Sequence, residues 1–149
     1  MAQTIFTGLN VLAFCALTLA IYMNTITRQR QEDFRFVTSE MKQAIYAIFS
    51  DGMPLLAENM KNGQSIDIQK YHHFLVNPLN SLLIYFPSFK DKDGYKNADA
   101  KLTKLQAELN KNNSYRLNTN EYNELNDAMV AALNDLNSIA SAEFERELK

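Results

Sequence analysis

A long uncharged apolar run opens the chain, and apolar positions at helical spacing follow it. Residues 5–26 carry neither a charge nor a proline. A helix of about 22 residues is long enough to cross a hydrocarbon core of about 30 Å. Ten strongly apolar side chains stand in the run, and each favours insertion by roughly 0.3 to 0.6 kcal/mol. The pattern predicts a transmembrane helix, with residues 1–27 as a membrane anchor and residues 28–149 as a second domain.

The basic residues that follow the run predict its orientation. Arg28, Arg30 and Arg35 come directly after it, whereas residues 1–4 carry no basic side chain. Because positive charges resist translocation, we expect a single-pass protein of the bacterial inner membrane, with its N-terminus outside and its C-terminal domain in the cytoplasm. The one cysteine, Cys15, lies in the run, so no intramolecular disulfide is expected.

The periodicity beyond Arg28 predicts that the first helix continues out of the membrane. Phe34, Val37, Met41 and Ile45 recur at spacings of three and four, and neither glycine nor proline occurs between Leu9 and Asp51. We therefore expect one helix of roughly 45 residues. The glycine and proline of residues 50–54 are expected to end it.

The remaining sequence predicts further helices and no strand. A short helix is expected over residues 54–61, and another over residues 68–86 with a kink at Pro78. Residues 87–97 are expected to form an exposed loop before a helix over residues 99–111. Asn118 and Glu121 have the spacing of a capping box at the start of a last helix. The expected fold class is all-α: one N-terminal transmembrane helix that continues into a cytoplasmic helical bundle.

A stripe of small and polar residues in the predicted span suggests a helix–helix or pore surface. Three interpretations are open. The amides reach water at the two headgroup regions, the stripe pairs with another copy, or several copies line a pore. The stripe consists of Asn10, Ala13, Leu17, Ala20 and Asn24.

Composition and motifs argue against an enzyme. The net charge is −2, from 15 basic and 17 acidic residues, so a nucleic-acid partner is not expected. His72 and His73 are adjacent, and adjacent helical residues point about 100° apart, so they make a poor metal site. We expect no catalytic residue, no cofactor and no metal. A solvated face is the expected role of the acidic residues of the last helix, which are Glu121, Glu124, Asp127 and Asp135.

The span and the segment Thr-Arg-Gln-Arg-Gln-Glu-Asp-Phe-Arg-Phe at residues 27–36 resemble small phage-defence membrane proteins of the abortive-infection type. The layout is also similar to CRISPR-associated membrane accessory proteins that carry a HEPN-like helical domain. HEPN nucleases carry an arginine four to six residues before a histidine. Neither His72 nor His73 has one, so the resemblance does not imply ribonuclease activity.

The leading functional hypothesis is a non-enzymatic membrane protein whose helical domain self-associates or binds a partner. Its sharper form is an oligomeric phage-defence effector that perturbs the membrane. The alternative is an anchored scaffold or assembly subunit of a larger membrane complex, and a degenerate HEPN-type nuclease is the enzymatic alternative. The expected partners are membrane lipid and either further copies of the chain or a membrane or cytoplasmic protein.

Overall fold

The computed structural model describes the backbone of residues 2–112 and 115–147, and the side chains of residues 18–112, 115–143 and 145–146. These residues form helices and no strand, as the all-α prediction requires. Two compact units divide the chain, Met1–Ser39 and Glu40–Lys149. The elements are α1 (Ala2–Tyr46), a first π-helical segment (Ala47–Gly52), α2 (Met53–Asn62), α3 (Ile68–Tyr71), a second π-helical segment (His72–Val76), α4 (Asn77–Tyr85), a 3₁₀ turn (Pro87–Asp91), α5 (Asp93–Lys111) and α6 (Thr119–Glu147).

The transmembrane part of the prediction is contradicted. Among the described residues, no helix combines the length and the apolar character that a membrane crossing needs. The side chains of residues 5–17 lie outside the described residues. The rest of the run, residues 18–26, rises only about 14 Å, less than half of a hydrocarbon core of about 30 Å. Arg28 then ends the run.

This correction extends to every prediction that needs the anchor. The single-pass inner-membrane localisation, with an outside N-terminus and a cytoplasmic domain, is wrong for the same reason. A pore lined by the span needs several spanning helices, and none is found among the described residues. The prediction depended on the apolar character of all of residues 5–26, of which the described side chains include only residues 18–26.

The long first helix is confirmed. α1 runs without interruption from Ala2 to Tyr46. The predicted break at residues 50–54 does not occur, because the chain widens into the first π-helical segment and continues directly into α2. The end of α1 and this segment bury Ala44 and Ile48 in the unit of residues 40–149.

The two π-helical segments lie against each other at Gly52. A Cβ atom at Gly52 would lie 2.5 Å from Cδ2 of Leu75 and 2.8 Å from the carbonyl oxygen of Phe74. The approach is therefore possible only with glycine at this position. Pro78 follows the second segment and has no N–H to donate to the carbonyl four residues back, so the widening of the helix precedes the proline.

The predicted loop over residues 87–97 is wrong. The 3₁₀ turn and the first turn of α5 occupy it, and both Phe89 and Tyr95 are buried, with ring centroids 4.9 Å apart. α5 begins six residues earlier than expected because α6 provides its cap. The carboxylate of Asp135 accepts the N–H of Gly94 at 2.9 Å. A Cβ at Gly94 would lie 2.7 Å from the backbone nitrogen of Ala132.

The core lies between α5, α6 and the helices that precede them. α5 and α6 share the most extensive contact of any two elements, and Lys101 on α5 forms an ion pair with Glu124 on α6 at 2.7 Å. Tyr71 is fully buried, and its hydroxyl donates to the carbonyl oxygen of Leu102 at 2.6 Å. Burial raises the pKa of Tyr71 strongly, and Asp99 adds to the shift. The largest fully buried apolar side chains are Tyr71, Phe86, Phe89, Ile48, Leu56, Leu75, Leu79, Leu82, Met129 and Leu136.

Asn59 joins the end of α2 to the segment before α6. It is 1% exposed, and its amide nitrogen donates to the carbonyl oxygens of Gln64 at 2.6 Å and Tyr115 at 2.9 Å. Its amide oxygen accepts the N–H of Leu117 at 2.9 Å. A single buried side chain therefore satisfies three backbone groups in two loops.

Arg116 completes the end of α2 from outside the core. Its guanidinium donates to the carbonyl oxygens of Met60 at 2.9 Å and Lys61 at 2.8 Å. These carbonyls lie in the last turn of the helix, where no N–H of the same helix reaches them. Gly63 then adopts a left-handed conformation with φ of 67° and ends the helix.

We expect Asn59→Ala to lower the free energy of unfolding by about 2 to 4 kcal/mol, because each buried backbone group left unpaired costs roughly 1 to 3 kcal/mol and water can satisfy some of them. Urea denaturation followed by circular dichroism measures the loss. Asn110→Ala is the matched control, because Asn110 is exposed on α5. Equal stability of the two variants would contradict the role of Asn59.

Candidate functional site

The predicted span stripe is only partly within the described side chains. Asn10, Ala13 and Leu17 lie outside them, whereas Ala20 and Asn24 are exposed on α1. The stripe therefore stays a prediction. Further along α1, the hydroxyls of Thr27 and Thr38 donate to carbonyls of their own helix at 2.8 Å.

The three arginines predicted to orient the chain are exposed on α1. Arg28, Arg30 and Arg35 all belong to the unit that contains residues 1–39. Their predicted role was to orient a membrane-spanning helix, and no such helix is found among the described residues. Arg30 nevertheless belongs to a second surface that the sequence reasoning missed.

A different face of α1 carries large apolar residues at regular spacing. Leu19 and Met23 are 62% and 57% exposed, and Ile26 and Val37 are half-buried. Arg30 and Asp33 stand between the apolar pairs on the same face. We name this face the α1 stripe: Leu19, Met23, Ile26, Arg30, Asp33 and Val37, whose spacings are four, three, four, three and four.

These spacings are the seven-residue repeat of helices that pack along each other. Positions that alternate by three and four stay on one side of a helix over several turns. The repeat itself was readable in the sequence. Its signal was hidden because two of the six positions carry charges and because the preceding apolar run suggested lipid.

Among the described residues, no ion pair engages the charges of the α1 stripe. Across the described residues, ion pairs join Lys101 to Glu124 at 2.7 Å and Lys111 to Glu108 at 3.0 Å, both in the unit of residues 40–149. Neither Arg30 nor Asp33 belongs to such a pair. The α1 stripe thus has apolar residues at both ends and two charged residues at its centre. A partner surface would need apolar residues and charges in matching positions.

A small pocket of about 50 Å³ lies between α5 and α6 and is lined by several charged groups. Two of these charged residues pair with each other. Lys101 forms its ion pair with Glu124 and holds the pKa of that carboxyl below its usual range. Tyr115 donates to Glu121 at 2.7 Å. A pocket this small gives little basis for ligand binding, because ligand pockets usually measure about 300 to 1,000 Å³.

The acidic residues of α6 are less free than predicted. Glu121 accepts the N–H of Asn118 at 3.1 Å, and Asn118 accepts the N–H of Glu121 at 2.9 Å, which confirms the capping box. Glu124 forms the ion pair and Asp135 caps α5. Asp127 is exposed on α6, which agrees with the expected solvated face.

The histidines are separate in the structure. His72 lies 3.0 Å from the amide nitrogen of Gln106 through its Nε2 atom, whereas His73 is exposed and its ring packs edge-on against Phe74. Within the described residues, no three His, Cys, Asp or Glu side chains are placed to hold a metal ion.

Tyr115 provides a titration test of the α5–α6 pocket. Burial, the hydrogen bond to Glu121 and the charges of Glu121 and Glu108 raise its pKa to about 12. We expect Glu121→Gln to bring this pKa down towards the usual value near 10, because it removes the nearest negative charge. Glu108→Gln is the control and should produce a smaller decrease. Spectrophotometric titration of tyrosinate measures both.

The same shift predicts how stability depends on pH. A raised tyrosine pKa favours the neutral phenol in the folded state, so its contribution is complete below about pH 10. The contribution is lost as the pH rises through the folded pKa of about 12. An unshifted pKa of Tyr115 in the unmodified protein would contradict the hydrogen bond to Glu121.

The comparisons with known proteins add no family to these features. No protein-family model, curated protein or solved structure matches the chain.

Proposed function

We propose that this chain is a non-enzymatic helical protein that assembles with a second copy through the α1 stripe. The observation that supports the proposal is the exposure of Leu19 and Met23, at 62% and 57%, in the unit of residues 1–39, where the described residues form no element other than α1. The apolar side chains have no second element within that unit to cover them.

The physical argument is the cost of such a helix in water. An isolated helix is marginally stable because its nucleus is costly, and most helices are stabilised by packing of an apolar face. The α1 stripe has the spacing for that packing. A second helix laid along it would cover Leu19, Met23, Ile26 and Val37 and remove their apolar area from water.

A second copy fits the stripe because it carries both signs of charge. A partner helix must present an acidic group to Arg30 and a basic group to Asp33. Another α1 stripe provides one of each on the same face as its apolar residues. Opposite charges across an interface favour the matching partner and disfavour partners with like charges.

In this proposal, assembly through α1 brings two units of residues 40–149 into one complex. The resemblance to phage-defence proteins suggests antiviral defence as the setting, and it stays a prediction.

The experiment is a measurement of oligomeric state by sedimentation velocity on the full chain. We expect the unmodified protein to be a dimer at micromolar concentration and Ile26→Glu to be a monomer. Full burial of an exposed isoleucine side chain contributes about 1.5 to 3 kcal/mol. Ile26 is already half-buried in the single chain, so each of the two copies in a dimer contributes roughly half of that. The dissociation constant should therefore rise by roughly one to two orders of magnitude.

Ile21→Glu is the matched control. Ile21 is 60% exposed on the same helix but lies on the face opposite to the stripe. The control should remain a dimer, with helical content by circular dichroism equal to that of the unmodified chain. A monomeric unmodified protein, or equal effects of the two substitutions, would overturn the proposal.

A further inference from the structure

We infer that the two α1 helices pair antiparallel, with their twofold axis between residues 31 and 32. The inference rests on the proposed self-assembly and specifies its polarity and register. It uses only the α1 stripe, whose two charged residues lie three positions apart at its centre, with an apolar residue four positions beyond each.

The antiparallel register follows from matching the positions of the stripe. With the axis between residues 31 and 32, Arg30 of one copy lies opposite Asp33 of the second copy. Ile26 then lies opposite Val37 of the second copy. The twofold axis repeats both pairs. Four consecutive layers result: apolar, charged, charged and apolar. Beyond them, the same register sets Met23 opposite Glu40 and Leu19 opposite Ala44 of the second copy, so the matched layers are these four.

The competing arrangements fail on charge. A parallel pair in register places Arg30 against Arg30 and Asp33 against Asp33, and like charges across an interface are strongly unfavourable. An antiparallel pair shifted by one seven-residue repeat places Ile26 against Arg30 and Met23 against Asp33. That shift sets both charged residues of the stripe against apolar side chains, whereas the register about residues 31 and 32 sets only Glu40, outside the stripe, against one.

The charged layers therefore determine orientation more than they add strength. A polar residue within an otherwise apolar helix seam specifies register and orientation at a cost in stability. Arg suits this position because its guanidinium can donate two parallel hydrogen bonds to one carboxylate. Arg30 and Asp33 are thus specificity residues of the interface, and the apolar layers supply its affinity.

Charge reversal tests the inference in the full chain. Arg30→Glu alone, or Asp33→Arg alone, should raise the dimer dissociation constant by about tenfold or more, because each places like charges opposite each other twice. The double variant Arg30→Glu with Asp33→Arg should restore it to within about threefold, since the opposite charges are exchanged. Arg28→Glu and Glu32→Arg, both off the stripe, are the matched controls and should change little.

Cross-linking tests the polarity directly. All chains carry Cys15→Ser, and a short bismaleimide is added to an equimolar mixture of Ile26→Cys and Val37→Cys chains. We expect the mixed pair to cross-link several times faster than either chain with itself. Dimers that cross-link chiefly 26 to 26, or in which neither charge reversal weakens assembly, overturn the antiparallel register while the proposed function stands. A monomeric unmodified chain overturns both.

Discussion

Asn59 is the polar side chain around which two distant loops close. Among the described residues it is the polar or charged side chain that is buried, and its amide forms hydrogen bonds with backbone groups of Gln64, Tyr115 and Leu117. An apolar side chain of similar size would fill the space and leave these backbone groups without partners. The end of α2 and the beginning of α6 therefore depend on one amide that both donates and accepts. Arg116 strengthens the same junction from its exposed side.

The two units of the chain satisfy their side chains in different ways. In the unit of residues 40–149, buried tyrosine hydroxyls, helix ends and several carboxylates have partners within the chain. The α1 stripe leaves large apolar side chains in water. The stability of the unit of residues 40–149 can thus be explained from its internal contacts. The exposed apolar residues of the α1 stripe can be explained if a partner helix packs against them. This contrast is why the proposed function belongs to α1 and not to the pocket between α5 and α6.

Local patterns in the sequence were sufficient to predict most of the helices. They were insufficient to predict helix boundaries that depend on residues distant in the sequence. The periodicity of α1 and the capping box of Asn118 and Glu121 depend on neighbouring residues, so both could be predicted. The start of α5 depends on Asp135, which lies 41 residues away in sequence from Gly94. No local pattern contains that contact. The α1 stripe could not be recognised from hydropathy because two charges interrupt its apolar repeat. The apolar run of residues 5–26 also predicted a transmembrane helix, which overlaps the beginning of the stripe.

The first π-helical segment determines which face of α2 is directed towards the core. A π-helical turn holds more residues than an α-helical turn, so it works as a one-residue insertion that the helix absorbs without a break. Each residue turns an α-helix by about 100°. Removal of one residue from Ala47–Gly52 would therefore rotate α2 by about that angle and carry Leu56 and Asn59 away from the positions they now occupy. The length of this segment, and not only its composition, aligns α2 with the core.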